Sequence, residues 1–320
     1  MSPFPAGNFP NQITIDPSGQ FAYVANFYSN NISGYSIDGA SGALAPIPGS
    51  PFGAGNGPYS VVVDPLDRFV YVANYSSGTV STFTLDPSSG TLVPVLDVAT
   101  GGLPQYSAID PSGQFFYVTS RGGSNIWAYT IDGTTGALTR IPGSPFGAGN
   151  YPLEITVHPS GQYVYAANCY SNAVTGSNIN LDGSLTPPAS TTAGNCSLSI
   201  TFDRSGQFLY VANYSSNNVS AFAVDATSGG LMPVLGSPFA SGNGPHSVAV
   251  DPSNQFLYVA NAISNSVSAY SIDSTSGALT PVPGSPFAVG TSPGSLTTTA
   301  GPAPPGAITA GSAGRKIAVR

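Results

Sequence analysis

A twelve-residue pattern returns six times along this chain of 320 residues, and it constrains the fold more than any other feature. IDPSGQFAYVAN, beginning at Ile15, recurs as VDPLDRFVYVAN, IDPSGQFFYVTS, VHPSGQYVYAAN, FDRSGQFLYVAN and VDPSNQFLYVAN. Its anchors are Asp16, Asp64, Asp110, His158, Asp203 and Asp251, at steps of 48, 46, 48, 45 and 48 residues. A fixed period of this length marks one supersecondary unit copied in tandem, and it overrides the two domains that length alone suggests.

Each copy holds four short β-branched or aromatic runs separated by turn residues, as in SVVVD, FVYVAN, VSTFTLD and TLVPV of the second copy. Between the first two runs, Asp-Pro-Ser-Gly is a turn: proline fixes φ, glycine accepts positive φ, and the aspartate bonds the backbone ahead of it. A second row of aspartates, Asp38, Asp86, Asp132, Asp182, Asp225 and Asp273, marks the turn between third and fourth runs. Four strands per repeat is the size of one propeller blade. The expectation is an all-β propeller of six four-stranded blades over residues 1–299, with the tyrosines of the YVAN-type motif packed between blades. The alternative is a seven-bladed ring with an incomplete or missing blade, because Ser292-Pro-Gly-Ser-Leu-Thr-Thr-Thr reads like the first strand of a seventh copy and then stops. Residues 300–320, rich in Gly, Pro and Ala, read as a flexible tail.

Only 7% of residues are charged, and the net charge of −7 comes with one lysine, Lys316, and six arginines. A nucleic-acid or anionic-membrane partner needs clustered cations, so both are excluded as expected partners. No apolar run reaches the roughly 18 residues of a membrane span, and Met1 leads into Ser-Pro-Phe-Pro with no signal-peptide pattern. The lightly charged surface, rich in Ser, Thr, Asn and Gly, suits an extracellular or periplasmic protein.

Tyr-Val-Ala-Asn at Tyr23, Tyr71, Tyr210 and Tyr258, with variants at Tyr117 and Tyr165, closely resembles the signature of the YVTN repeat propellers. The run Gly-Ala-Leu-Thr-Pro-Val-Pro-Gly-Ser-Pro-Phe from Gly277 resembles their lactonase-like branch. Across residues 1–299 this resemblance implies a propeller, commonly seven-bladed in that family, with 6-phosphogluconolactonase as the activity of some members. The matching residues all belong to the scaffold, and six complete copies depart from the usual seven.

Positions alike in every copy serve the blade, whereas positions that vary at one place in the ring are free to serve a ligand. Just before the first strand these are Asn11, Tyr59, Gln105, Leu153, Leu198 and His246, followed by Gln12, Ser60, Tyr106, Glu154, Ser199 and Ser247. After the YVAN-type motif come Phe27, Tyr75, Arg121, Cys169, Tyr214 and Ala262. Both sets fall on one face, at the channel mouth. The candidate ligand site is therefore Asn11, Tyr59, Tyr75, Gln105, Tyr106, Arg121, Glu154, Tyr214 and His246. This mixture of aromatics, amides, one arginine and the chain's single glutamate suits a small polar organic, glycan or peptide ligand.

No nucleotide loop, HExxH, CxxC or GxSxG pattern occurs, and no cofactor is expected. The anchoring aspartates and His158 are explained by their turns, so no metal site is expected. The first functional reading is a binding propeller. The runner-up is a lactone hydrolase with His246 or Glu154 as general base and Arg121 at the oxyanion, and the third is a structural module of a larger surface protein. A phosphosugar lactone needs two or more cations at its phosphate, and only Arg121 is well placed. Cys169 and Cys196 fall in loops on one face of adjacent blades, which predicts a disulfide.

Overall fold

The computed structural model describes residues 4–298, and every regular element among them is a β-strand. The expected tail at 300–320 lies outside the described residues. Consecutive strands pair antiparallel into six separate sheets. The first comprises Pro10–Ile15, Phe21–Asn26, Asn31–Ile37 and Leu44–Pro46, and the last Pro245–Val250, Phe256–Asn261, Ser266–Ile272 and Leu279–Pro281. The first strands of successive sheets pack side by side around an axis. This is the six-bladed propeller that the period predicts.

Four blades break their outer strand at a Gly-Ser-Pro turn, and the serine hydroxyl there serves as the acceptor for a third-strand N–H. The Oγ atoms of Ser50, Ser144, Ser237 and Ser285 each accept the N–H of a third-strand residue (Gly34, Ala128, Ala221 and Ala269) at 2.9 Å. The ladder thus continues through a side chain across the break in the outer strand.

The repeated motif is a set of ties. Tyr23, Tyr71, Tyr117, Tyr165 and Tyr210 are almost wholly buried between blades. Each donates its hydroxyl to a glycine carbonyl of the following blade: Gly90 at 2.7 Å, Gly136 at 2.9 Å, Gly183 at 2.9 Å, Gly229 at 2.7 Å and Gly277 at 3.1 Å. At Gly183 glycine is obligatory twice over. Its φ is +80°, and a Cβ there would come within 2.3 Å of the Phe115 ring. The motif asparagine joins second strand to third: Asn213 Nδ2 donates to Asn218 Oδ1 and to Ser220 Oγ, both at 2.9 Å. The anchoring aspartate closes its own turn, as Asp110 Oδ1 accepts the N–H of Gln114 at 2.8 Å and of Phe115 at 2.6 Å.

Closure of the ring uses the truncated seventh copy. Ser292 N–H donates to Asn265 Oδ1 at 2.6 Å, as Gly57 does to Asn30 and Gly244 to Asn217 at the start of other blades. Leu296 N–H then donates to Ser247 Oγ at 3.1 Å, Thr298 Oγ1 donates to the Val250 carbonyl at 2.7 Å, and Ile13 N–H reaches Ser295 Oγ at 3.5 Å. Residues 293–298 therefore stand where the innermost strand of a seventh blade would stand.

Removing one interblade hydroxyl leaves a buried glycine carbonyl without its donor. Tyr117→Phe is expected to cost about 1–3 kcal/mol, and Gly183→Ala to cost more, because strain and the ring clash add to it. Denaturant midpoints check both. Equal stability of Tyr117→Phe and the parent would contradict the role given to the hydroxyl.

Candidate active site in the central channel

The channel exists because each blade offers its innermost strand to the axis, and residues at its mouth alternate between the wall and the lumen. Tyr106, Glu154 and His246 of the predicted set share one cavity of about 270 Å³, together with Gln12, Ser247 and residues 294–298. Asn11 and Gln105 instead turn into the wall and are buried. Asn11 Nδ2 donates to the Tyr59 carbonyl at 2.9 Å, a tie between first and second blades.

Sequence reasoning missed the strand 294–298 as a wall of this cavity. The signal was available in phase, since Ser295 follows Ser247 by 48 residues. That phase recurs as a circle of bonds from lumen side chains to the next blade's backbone. Gln12 Oε1 accepts from Val61 N–H at 2.7 Å, Glu154 Oε2 from Ile200 N–H at 3.1 Å, and Ser199 Oγ from Val248 N–H at 3.1 Å. With its oxygen engaged by Val61, the Gln12 amide still has its two N–H donors to offer the cavity.

Glu154 is half-buried on the channel wall, with protein packed around its carboxyl, and withdrawal from water penalises the carboxylate relative to its neutral form. Burial pushes its carboxyl up from 4.5 to about 7, against the opposing pull of hydrogen bonds from Ser199 and the Ile200 N–H. A carboxyl poised there can take and return a proton at neutral pH.

The remaining candidates form a rim of rings above the cavity. Tyr59 packs against Tyr106 at 5.3 Å and Tyr75 at 5.9 Å between centroids, and Phe27 continues the arc into the first blade. Tyr214 meets His246 edge-on at 6.3 Å. Arg121 does not line the cavity. Its guanidinium lies 4.1 Å over the Tyr151 ring, which stacks on Tyr170 at 4.2 Å. The structure therefore gives Arg121 a cation–π partner on the rim, and the lumen set of Gln12, Tyr106, Glu154, His246 and Ser247 contains no Lys or Arg. Among the described residues, Arg68 is paired to Asp64 at 2.8 Å in an opposite-face turn and Arg140 lies over Trp127 on an outer strand.

His158 keeps the turn role of the aspartate it replaces. Its Nδ1 accepts the Ser160 N–H at 3.0 Å, so Nε2 carries the proton that it donates to the Gly206 carbonyl at 2.9 Å. Among the described residues no group of three or more His, Cys, Asp or Glu is placed to hold a metal.

Cys169 and Cys196 are joined, with Cα atoms 3.7 Å apart, linking the fourth blade to the fifth beside the channel mouth. In the chain-entropy account, closing a loop of 27 residues stabilises the fold by about 3.5 kcal/mol. The double variant Cys169→Ser/Cys196→Ser should lose a large part of that in denaturant titration. Labelling of two thiols in the unreduced, unfolded parent would contradict the bond itself.

Comparison with known proteins places this geometry. A family profile described as lactonase, 7-bladed beta-propeller matches residues 2–105, 105–197, 143–243 and 184–293. No curated protein sequence matches the chain. Its fold is similar to that of a provisionally named 6-phosphogluconolactonase of Bacteroides fragilis, with a TM-score of 0.80, 21% identity, and 90% of this chain and 86% of that one covered. It is similar also to a periplasmic gluconolactonase of Pseudomonas aeruginosa, with a TM-score of 0.78, 20% identity and coverages of 89% and 86%. A Lactobacillus plantarum protein gives a TM-score of 0.78 at 22% identity, with coverages of 91% and 88%. The tandem copies, the interblade ties and a profile spanning residues 2–293 together make this chain a member of the lactonase family of β-propellers.

Proposed function

We propose that the protein hydrolyses an unphosphorylated lactone in the central channel, with Glu154 as general base. The observation that carries this reading is a carboxyl held near neutrality on the wall of a polar cavity that also contains Gln12, Tyr106 and His246. Glu154 takes a proton from water as the water attacks the lactone carbonyl carbon. The Gln12 amide and the Tyr106 hydroxyl are the donors at hand for the developing oxyanion, in place of the Arg121 role expected from sequence. Collapse breaks the ring C–O bond, and the proton returns to the departing alkoxide, leaving a hydroxy acid.

The neighbours named for gluconolactonase and 6-phosphogluconolactonase support a sugar lactone as the substrate class. A phosphate on that sugar finds no cation in the lumen set, so the unphosphorylated form is favoured. The disulfide supports an oxidising, extracellular or periplasmic setting, and no helix among the described residues is long and apolar enough to cross a membrane. One observation favours the competing reading, a propeller that binds a small polar ligand, glycan or peptide without turnover. Glu154 occupies the same phase as Gln12 and Ser199 and, like them, clamps the next blade.

Steady-state hydrolysis of glucono-lactone and its 6-phosphate separates the two. Glu154→Gln keeps the clamp's acceptor and removes the base, so catalysis should fall by about 10²–10⁴-fold while stability is retained at neutral pH. In the parent, activity should rise with pH through about 7 as Glu154 ionises. Undiminished turnover in Glu154→Gln would return the site to a binding role. Turnover of the phosphorylated lactone at an ordinary enzymatic rate, of order 1–10³ s⁻¹, would overturn the substrate preference.

The same group makes a separate prediction for stability. A carboxyl whose pKa is higher folded than unfolded holds its proton more tightly in the native state. Stability should therefore fall as pH rises from about 4.5 to about 7 and level off above, and Glu154→Gln should flatten that slope.

A further inference from the structure

The cleft between the fourth and fifth blades holds a second cavity, about 240 Å³ in volume, that shares no lining residue with the channel cavity. It arises where the fourth copy departs from the repeat. In the first, third and fifth blades the outer turn brings an aliphatic and an aromatic side chain against the interblade tyrosine. Ile47 and Phe52 join Tyr23, Ile141 and Phe146 join Tyr117, and Val234 and Phe239 join Tyr210. That connection spans 11 residues in the first blade, from Leu44 to Ala54, whose N–H donates to the Asn30 carbonyl at 3.1 Å. In the fourth it spans 9, from Leu185 to Ala193, whose N–H donates to the Asn172 carbonyl at 2.9 Å. The shortened run, Leu-Thr-Pro-Pro-Ala-Ser-Thr-Thr-Ala, contains neither plugging side chain.

The second blade has an equally short connection, Leu92 to Thr100, yet fills the space. Thr82 and Leu96 stand beside Tyr71 in one row across its strands. The corresponding row of the fourth blade is Tyr165, Gly176 and Ala189. Among the described blades only the fourth combines the short connection with two minimal side chains. The gap does not close up, because other ties fix the spacing of the two blades. They are the Cys169–Cys196 bond, the Glu154 clamp on Ile200 N–H, the His158 bond to the Gly206 carbonyl and the Tyr165 bond to the Gly229 carbonyl.

No charged side chain lines this cleft, so an ionic ligand finds no counter-charge there. Tyr163, Tyr165 and Leu231 give it ring and aliphatic surface. Thr191 pairs with Val174, which packs towards the fifth blade, and so places its hydroxyl on the same side. The two tyrosine hydroxyls donate to the Ala226 and Gly229 carbonyls at 3.2 and 2.7 Å, and each keeps an accepting lone pair. A neutral molecule with an apolar face and hydroxyls along its edge matches this mixture of surfaces. The volume is far beyond the roughly 30 Å³ that one water claims in the liquid, and is on the scale of one sugar ring. We propose that the cleft between the fourth and fifth blades is a second binding site, for a single uncharged pyranose, and that it stands independently of the channel chemistry.

Calorimetric titration with methyl glucoside, which carries neither lactone nor charge, tests the site. The parent should bind it. Ala189→Leu, which puts the second blade's side chain at the edge of the cleft, should lose binding, and Gly176→Thr should do the same from the inner side. Ala189 is exposed, so the denaturant midpoint of that variant should match the parent's. Thr191→Val should weaken binding by about three- to tenfold, as expected for one hydrogen bond. Glu154→Gln, altered only in the channel, should bind as the parent does. No binding to the parent, affinity unchanged in both Ala189→Leu and Gly176→Thr, or affinity lost in Glu154→Gln would each overturn the assignment.

Discussion

The ring depends on one hydrogen bond repeated around it: a buried tyrosine hydroxyl of one blade donates to a glycine carbonyl in an outer turn of the next. A blade by itself is a small sheet with two apolar faces, and it gains a core only by facing a neighbour. The tyrosine supplies ring area to that face and satisfies, at its far end, a carbonyl that would otherwise be buried unpaired. The glycine permits both the positive φ of the turn and the close approach of the preceding phenylalanine or tyrosine ring. Burial pushes the phenol pKa of Tyr117 well above its usual value, which keeps the hydroxyl a donor across the accessible pH range.

Uniform ties of this kind leave little freedom except at the channel mouth. There the same phase of the repeat carries glutamine, serine, tyrosine or glutamate, and at Gln12, Glu154 and Ser199 a side-chain oxygen clamps the backbone of the next blade. Among the clamps made by Gln12, Glu154 and Ser199, Glu154 is the one whose oxygen belongs to a titratable group. The desolvation that raises its pKa follows from its standing in the wall as a structural member. Structure and chemistry are coupled here through burial, and the coupling costs some stability at neutral pH.

Much of the fold was legible because the repeat acts as its own control. Asp110, Tyr117 and Asn213 recur by sequence position, and each proves to close a turn, join two blades or join two strands. The candidate site was legible only by phase. Variation marked Asn11, Gln105, Tyr106, Glu154, Arg121 and His246 alike. A one-residue change of direction at the start of a strand then decides between wall and lumen, and that start is irregular in every blade, as between Pro104 and Ser107. Arg121 lies by sequence at the mouth, yet Tyr151 of the following blade draws it onto the rim.

Local patterns therefore determined by themselves the all-β class, the blade, the number of complete copies and the turns, because period, turn chemistry and alternation are properties of contiguous residues. The pairing of Cys169 with Cys196 was also within reach, since blade order fixes which loops are neighbours. Only the tertiary structure decided that Tyr106, Glu154 and His246 share a cavity and that Arg121 does not line it. It alone showed that residues 293–298 close the circle against Ile13 from the far end of the chain. Those outcomes depend on how six units meet around an axis, a relation between residues up to 282 positions apart that no local pattern encodes.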